Sequence, residues 1–109
     1  PDIAWKVAQE IVEKRADRGI LICGTGIGMA IAANKVNGIR AALALDELSA
    51  QLSRTHNDAN VLCLSADLLG QTLVKRIVDI WMRSNYEGGR HARRLAKIER
   101  IENGEDPKS

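Results

Sequence analysis

The chain of 109 residues is long enough for one domain and too short for two. With 45% hydrophobic and 28% charged residues, its composition is typical of a folded soluble protein and excludes a disordered or collagen-like chain. The net charge of +2 and the lack of any long apolar run predict a cytoplasmic protein that binds neither nucleic acid nor a membrane.

The first part of the sequence alternates helical and strand patterns. Residues 2–16 carry apolar side chains at helical spacing, with Asp2 as the predicted cap, so they predict an amphipathic helix. The run 20–23 is short and continuously apolar, which is typical of a strand covered on both faces in a parallel sheet. After a glycine-rich loop, the Ala-rich residues 29–35 predict a second helix that ends near Gly38.

The same alternation continues through the middle of the chain. Residues 39–44 and 60–64 predict strands, and residues 46–54 predict the helix between them. Alternating helices and buried strands favour an α/β fold with a parallel sheet and right-handed crossovers. Three visible strands are few for a sheet that usually has about five or six, so we expect further strands upstream or from a partner.

Two helices and a tail complete the chain. Residues 69–83 carry a broad apolar face, which predicts a long covered helix. After a glycine-containing break at residues 86–89, the last helix is charged except for one apolar stripe without an obvious partner in the chain. The stripe consists of Leu95, Ile98 and Ile101. We expect residues 1–102 to form the single domain and residues 103–109 to form a flexible tail.

The loop after the first strand carries the strongest local signal. Gly24, Gly26 and Gly28 would let backbone amides converge at a helix N-terminus, an arrangement suited to a phosphate or an oxyanion. Cys23 precedes these glycines, where a helix end favours the thiolate, so it is a candidate base or nucleophile. A small buried hydrophobe at a strand end is an equally good interpretation. Met29 departs from the dinucleotide fingerprint, and no Walker motif is present.

The other reactive side chains have competing interpretations. Cys63 lies within an apolar strand, which predicts a core residue. His56, in a loop after a helix, is either a surface residue or a titratable group close to the sheet. Arg90 and Arg94 lie one helical turn apart, so they either clamp a phosphate or begin a solvated basic helix. Two distant cysteines and two distant histidines without a carboxylate cluster predict no metal site, disulfide framework or zinc ribbon.

Six segments occur in an order and spacing that closely resemble the type B ribose-5-phosphate isomerases, in the family that also holds the galactose-6-phosphate isomerase subunits. The segments are 22–28 (ICGTGIG), 31–35 (IAANK), 38–41 (GIRA), 49–50 (SA), 56–62 (HNDANVL) and 86–91 (YEGGRH). The resemblance covers about residues 1–102 and implies a Rossmann-like, three-layer αβα fold with a parallel sheet, of which three of the family's five strands are visible. It also implies that about 40 N-terminal residues of the family domain have no counterpart here.

The resemblance implies an aldose–ketose isomerase of the pentose phosphate pathway. Such an enzyme interconverts ribose 5-phosphate and ribulose 5-phosphate through an enediolate, without a cofactor. Cys23 matches the base that moves the proton, and Thr25 with the amides of Gly24, Gly26 and Gly28 matches the groups that stabilise the enediolate oxygens.

The remaining matches concern the ring-opening step and the phosphate. His56 matches the ring-opening histidine, and Asn57 matches its neighbour at the substrate hydroxyls. Arg90, His91 and Arg94 match phosphate contacts that reach across a dimer interface in this family. The resemblance therefore implies a homodimer or a dimer of dimers.

The resemblance leaves two alternatives open for the activity. One is an isomerase for another sugar phosphate, such as allose 6-phosphate or galactose 6-phosphate. The other is an inactive remnant that binds a sugar phosphate or only dimerises. For the dimer itself, we expect an interface between the region of residues 23–35 and the last helix, because the stripe on that helix lacks a partner within the chain.

Overall fold

Helices and strands alternate along residues 1–108, which are the residues that the computed structural model describes. The helices are α1 (Asp2–Val12), α2 (Ile27–Asn34), α3 (Glu47–Thr55), α4 (Gln71–Arg83) and α5 (Arg90–Glu102). The strands are β1 (Gly19–Cys23), β2 (Ala41–Leu43) and β3 (Val61–Ser65). The predicted succession of elements is therefore confirmed.

The three strands form one parallel sheet in the order β1-β3-β2. Gly19 lies opposite Val61 and Cys23 lies opposite Ser65, so β1 and β3 begin and end together, whereas the shorter β2 ends opposite Cys63. We call the side where Gly19 and Val61 lie the amino edge, and the side where Cys23 and Ser65 lie the carboxyl edge. In open α/β sheets, ligands bind beyond the carboxyl ends of the strands.

The central strand β3 separates two apolar cores, because its side chains alternate between the faces of the sheet. Val61 and Cys63 belong to the core on one face, against α1 and α2. Leu62 and Leu64 belong to the core on the other face, against α3 and α4. All five β3 residues are buried. The predicted three-layer αβα architecture and the core position of Cys63 are confirmed.

The first helix departs from its prediction at both ends. Asp2 does not cap it, because Pro1 occupies the N-cap position without a side-chain hydrogen bond and Asp2 lies in the first turn. The helix ends at Val12 instead of continuing to residue 16, and Lys14 has a left-handed φ of 62° that no α-helix accommodates. Its buried positions are small alanines, and Ile3 is 60% exposed.

Other bounds differ by a few residues from the predicted ones. The second helix begins at Ile27 and not at Met29, because Gly26 already serves as its N-cap. The second strand covers only Ala41–Leu43, although its flanking residues Ile39 and Ala44 are buried. Such differences at element ends reflect backbone hydrogen bonding, which apolar patterns do not report.

The expectation that β1 is covered on both faces is wrong. Leu21 is buried, whereas Ile20 is 37% exposed and Ile22 is 54% exposed. Because β1 lies at one side of the sheet, α1 and α2 cover one of its faces and no described helix covers the other. The continuously apolar sequence therefore does not correspond to complete burial of this strand.

The last helix contains no buried residue. Leu95 is half-buried, Ile98 is 46% exposed and Ile101 is 59% exposed, so most of the predicted stripe faces solvent in the single chain. The helix ends at Glu102, as expected, and Ser109 of the predicted flexible tail lies outside the described residues. Across residues 1–108, every helix is too short or too polar to span a membrane.

Candidate active site

The candidate base lies at the carboxyl edge, where β1 turns into α2. Cys23 is the last residue of β1 and is half-buried. Its Sγ accepts a hydrogen bond from the backbone amide of Gly26 at 3.1 Å. This hydrogen bond fixes the sulfur beside the first turn of α2, at the edge of the sheet where ligands bind in open α/β folds.

Gly26 makes this turn possible. Its φ of 80° lies in the left-handed region, and a Cβ on it would lie 2.6 Å from the Leu43 Cδ1 atom and 3.2 Å from the Leu64 backbone. Only glycine satisfies both the backbone conformation and the close approach. The glycine therefore brings its own amide within reach of the Cys23 sulfur.

Ser65 is a residue of this site to which the sequence pattern assigned no role. It is fully buried beside Cys23, and its hydroxyl donates to the Gly24 carbonyl at 2.6 Å while accepting from the Leu68 amide at 3.0 Å. The Ala66 amide also donates to the Cys23 carbonyl at 2.7 Å. These bonds hold the loop after β1 against the end of β3. The available signal was a polar residue closing an otherwise apolar strand.

Thr25 and the start of α2 provide donors on the outer side of the same loop. The Thr25 hydroxyl oxygen accepts from the Ile27 amide at 3.3 Å, which leaves the hydroxyl hydrogen for an external acceptor. Amides in the first turn of a helix have no acceptor within the helix. A Cβ on Gly28 would meet no atom within 4 Å, so the space beside this turn is open. The structure thus brings the predicted loop residues together around Cys23.

The two histidines form a second cluster. The rings of His56 and His91 stack with their centroids 4.0 Å apart and an interplanar angle of 18°. The Glu87 carboxylate lies 3.8 Å from His91 Nε2, and the Glu87 amide donates to the Thr55 carbonyl at 3.0 Å. The expectation that the histidines are distant and lack a neighbouring carboxylate is therefore wrong, because the segment after α4 folds back onto the end of α3.

The histidine cluster is set in a basic environment. Burial, followed by the charges of His56 and Arg90, lowers the pKa of His91 from its usual value of 6.5. Arg90 and Arg94 begin α5 and are exposed, as is Asn57 beside His56. The positive charges of Arg90 and Arg94 act on His91, which suits an anionic ligand at this cluster.

The ligand atoms of His56, Glu87 and His91 all lie within 4.8 Å of one another, a separation that a metal site requires. The stacked rings nevertheless do not suit one shared ion. The lone pair of an imidazole nitrogen lies in the ring plane, and zinc binds it at about 2.0–2.1 Å. With nearly parallel planes and centroids 4.0 Å apart, an ion in the plane of one ring lies too far from the plane of the other.

The two clusters lie at opposite edges of the sheet. Helix α3 starts after Asp46 near the carboxyl end of β2 and ends at His56 near the amino edge, where the Gly19 amide donates to the Asn60 carbonyl at 2.9 Å. From Gly19 to Cys23 the strand spans about 13 Å, at about 3.3 Å per residue. A single chain therefore does not bring Cys23 and His56 into one site.

The sequence is similar to those of known sugar phosphate isomerases. A family model described as Ribose/Galactose Isomerase matches residues 1–98. Ribose-5-phosphate isomerase B of Escherichia coli is 51% identical over 102 residues, which are 94% of this chain and 68% of that relative. The putative sugar phosphate isomerase YwlF of Bacillus subtilis is 52% identical over 98 residues, 90% of this chain and 66% of that relative. This chain thus spans about two thirds of the length of these relatives.

Solved structures show the same fold. Ribose-5-phosphate isomerase B of Clostridium thermocellum superposes with a TM-score of 0.94 at 50% identity, covering 95% of this chain and 70% of that chain. The Mycoplasma genitalium enzyme, solved with bound ribulose-5-phosphate, has a TM-score of 0.88 at 50% identity, covering 94% of this chain and 68% of that chain.

Proposed function

Because the chain belongs to the ribose/galactose isomerase family, we propose that it is an aldose–ketose isomerase that interconverts ribose 5-phosphate and ribulose 5-phosphate. The observation that carries the proposal is the Cys23 thiol at the carboxyl edge, which accepts the Gly26 amide at 3.1 Å. Relatives named ribose-5-phosphate isomerase B support this choice of substrate. The reaction moves hydrogen within one sugar, so it needs no external oxidant or reductant.

In the proposed reaction, the Cys23 thiolate removes the proton from C2 of the open-chain aldose. The electron pair forms the C1–C2 double bond of the enediolate while the carbonyl electrons move onto O1. After the O2 hydrogen passes to O1, the same proton returns from the Cys23 thiol to C1 as the C2–O2 carbonyl forms, which gives the ketose. The Thr25 hydroxyl and the amides of Gly24 and Gly28 stabilise the negative charge that develops on the enediolate oxygens, whereas the Gly26 amide donates to the Cys23 sulfur. Donors aimed at a developing oxyanion lower the barrier in this type of reaction.

The second cluster handles the closed sugar and the phosphate. His56 transfers the proton that opens the furanose ring, and Asn57 binds the sugar hydroxyls. Arg90, His91 and Arg94 bind the phosphate through charge-assisted hydrogen bonds. Since His91 stacks on His56, the ring-opening residue and the phosphate-binding residues contact the ligand from the same side.

The proposed site is completed by a second copy of the chain. The separation between Cys23 and His56 requires that one subunit supplies the Cys23 loop and its partner supplies the histidine cluster, as in a homodimer with shared sites. Exposed apolar side chains are available for such an interface on both predicted elements. They are Ile27 and Ile31 on α2, and Ile98 and Ile101 on α5.

Turnover of ribose 5-phosphate by matched cysteine variants tests the assignment of the base. We expect Cys23→Ala to lose more than about tenfold in turnover, which corresponds to about 1.4 kcal/mol of barrier. Cys63→Ala makes the same chemical change in the core and should retain turnover once folding is verified. If Cys23→Ala keeps more than about a tenth of the wild-type rate, Cys23 is not the base.

The substrate assignment is tested with a panel of sugar phosphates. Erythrulose 4-phosphate belongs in the panel because a relative in Pectobacterium atrosepticum, 49% identical to this chain, is named D-erythrulose-4-phosphate isomerase. Allose 6-phosphate and galactose 6-phosphate test the other sugar alternatives. Binding of ribose 5-phosphate without any turnover would instead indicate a protein that only binds sugar phosphates.

Subunit complementation tests the shared site. Cys23→Ala and His56→Ala chains are each expected to be inactive, whereas a mixed dimer contains one site with both wild-type residues. Random mixing in equal amounts makes about half of the dimers mixed, each with one of its two sites intact, so about a quarter of wild-type activity should return. Mixed dimers that form but remain inactive would contradict a site shared in this way, and sedimentation at micromolar concentration reports whether dimers form.

A further inference from the structure

Arg54 is a buried charged side chain without a role in the proposed chemistry. It lies near the end of α3, two residues before His56, and is only 6% exposed. A buried guanidinium is costly unless its donors are satisfied and its charge is paired. The partners of Arg54 therefore indicate what this position does.

The guanidinium connects three separate segments. Its Nη1 atom donates to the Asp58 carboxylate at 2.9 Å and to the Ala59 carbonyl at 2.7 Å, and its Nε atom donates to the Ser84 carbonyl at 3.2 Å. It also lies 5.9 Å from the centroid of the Trp81 ring. One side chain thus joins the turn after α3, the start of β3 and the end of α4.

The turn that Arg54 holds carries His56 and Asn57. Asp58 completes this turn with a left-handed φ of 47°, an uncommon conformation for a residue other than glycine. Arg40 holds Asp58 from the other side, since its Nε atom donates to the Asp58 carbonyl at 2.9 Å. The turn is therefore fixed by two arginines, of which Arg54 is the buried one.

The segment that follows Ser84 carries the other ring of the histidine stack. Ser84 is the C-cap of α4, and the chain then passes Glu87, whose amide donates to the Thr55 carbonyl at 3.0 Å, and reaches His91. Arg54 is thus bonded to both segments that bring His56 and His91 to a centroid separation of 4.0 Å.

We propose that Arg54 is a positioning residue for the histidine cluster, because its buried guanidinium joins the His56 turn to the segment that carries His91. Its hydrogen bonds go to Asp58, Ala59 and Ser84, so it acts through the two segments that carry the rings. The catalytic part of this inference rests on the proposed isomerase function, whereas the structural part concerns the stack alone. A planar fork is required for this role, so lysine cannot replace it even though the charge is kept.

Arg18 provides a matched control. It lies 5.6 Å from the same Trp81 ring, and its Nη1 atom donates to the Trp81 and Met82 carbonyls at 3.3 and 3.0 Å. It therefore supports the end of α4 without bonding to the turn at His56. Arg18→Lys reports the general effect of losing a guanidinium beside Trp81, and Arg54→Lys adds the loss of the connection between the two segments.

The first readout is nuclear magnetic resonance of the imidazoles, which needs no activity. The chain contains only two histidines, so their ring signals and titration curves are resolved without ambiguity. In Arg54→Lys we expect both ring signals to shift as the stack opens, and the pKa of His91 to rise toward 6.5. Arg18→Lys should leave both histidines as in the wild type.

The second readout is isomerase kinetics with ribose 5-phosphate. We expect Arg54→Lys to lower kcat by at least about tenfold, because a small displacement of a catalytic group is costly, and Arg18→Lys to stay within about twofold of wild type. If the wild type is inactive, the proposed function fails, and the histidine signals still decide whether Arg54 positions the stack.

A second variant covers the case in which Arg54→Lys does not fold. Asp58→Gly tolerates the left-handed backbone and removes the carboxylate that Arg54 binds, so it should shift the same histidine signals in the same direction. Unchanged histidine signals in a folded Arg54→Lys, or in Asp58→Gly when the first variant is unfolded, would overturn the proposal. Equal shifts in Arg18→Lys would overturn it as well, because they would indicate a general effect on α4.

Discussion

Replacing Gly26 with alanine tests how the loop around Cys23 is built. The position has a φ of 80°, and an added Cβ would lie 2.6 Å from the Leu43 Cδ1 atom and 3.2 Å from the Leu64 backbone. The side chain of Leu43 can rotate away, whereas the backbone of the central strand β3 is held on both sides by its neighbours. The substitution therefore combines backbone strain with a contact that cannot fully relax.

The expected magnitude follows from these two causes. A left-handed conformation costs a residue other than glycine about 1–2 kcal/mol. Overpacking of a well-packed region costs about 1–3 kcal/mol. Together they predict a loss of about 2–5 kcal/mol in the free energy of unfolding, a large share of the about 5–15 kcal/mol typical of a domain.

Gly28→Ala is the matched control, because the same atoms are added two residues later, in the first turn of α2. A Cβ on Gly28 meets no atom within 4 Å, and alanine is the better helix former by up to about 1 kcal/mol. We expect this variant to be as stable as the wild type or more stable. Its Cβ projects into the open space beside the first turn of α2, so isomerase turnover should fall although the fold is intact.

Urea unfolding at a fixed protein concentration measures both variants, since the stability of a dimer depends on concentration. The expected result is a lower midpoint for Gly26→Ala with an unchanged m-value. A loss below about 1 kcal/mol for Gly26→Ala would refute the argument, because it would mean that neither the strain nor the contact is present. Equal losses of stability in the two glycine variants would refute it too, since of these two positions Gly26 alone has a positive φ and a close neighbour.

Three further predictions concern the reactive side chains. Burial raises the pKa of Cys63 to about 11, so iodoacetamide at neutral pH should alkylate Cys23 in the folded protein and Cys63 only after unfolding, as peptide mass analysis would reveal. The fold lowers the pKa of His91, so protonation of this residue favours the unfolded chain. The free energy of unfolding should therefore fall as the pH drops from 6.5 through the pKa of His91 in the folded protein, and His91→Gln should reduce this loss of stability in thermal scans. Arg90→Ala and Arg94→Ala should each weaken ribose 5-phosphate binding by about 1.5–3 kcal/mol in calorimetry without affecting ribose, and equal losses for both sugars would indicate a structural role.

The sequence by itself determined the layered α/β fold and the loop around Cys23. Short apolar runs alternate with helical patterns, and that alternation favours a parallel sheet packed against helices. Gly24, Gly26 and Gly28 after Cys23 identified the tight turn, because local backbone conformation depends mainly on local residues. The position of Cys63 in the core followed from its apolar neighbours in the same way.

Other features depend on contacts between distant segments. The exposure of Ile22 depends on which strand ends up at the side of the sheet, and strand order is not encoded in the apolar pattern of one strand. Ser65 joined the site only because the register of β1 and β3 places it opposite Cys23. Local sequence patterns report neither the exposure of Ile22 nor the register between β1 and β3.

The arrangement of the site was decided by tertiary structure alone. His56 and His91 are distant in sequence and stack because the chain after α4 returns to the end of α3, where the buried Arg54 fixes both segments. The same course of the chain places His56 at the amino edge and Cys23 at the carboxyl edge. Residue patterns report which side chains are buried and which are reactive. The distance between two reactive side chains depends instead on the packing of whole helices against the sheet.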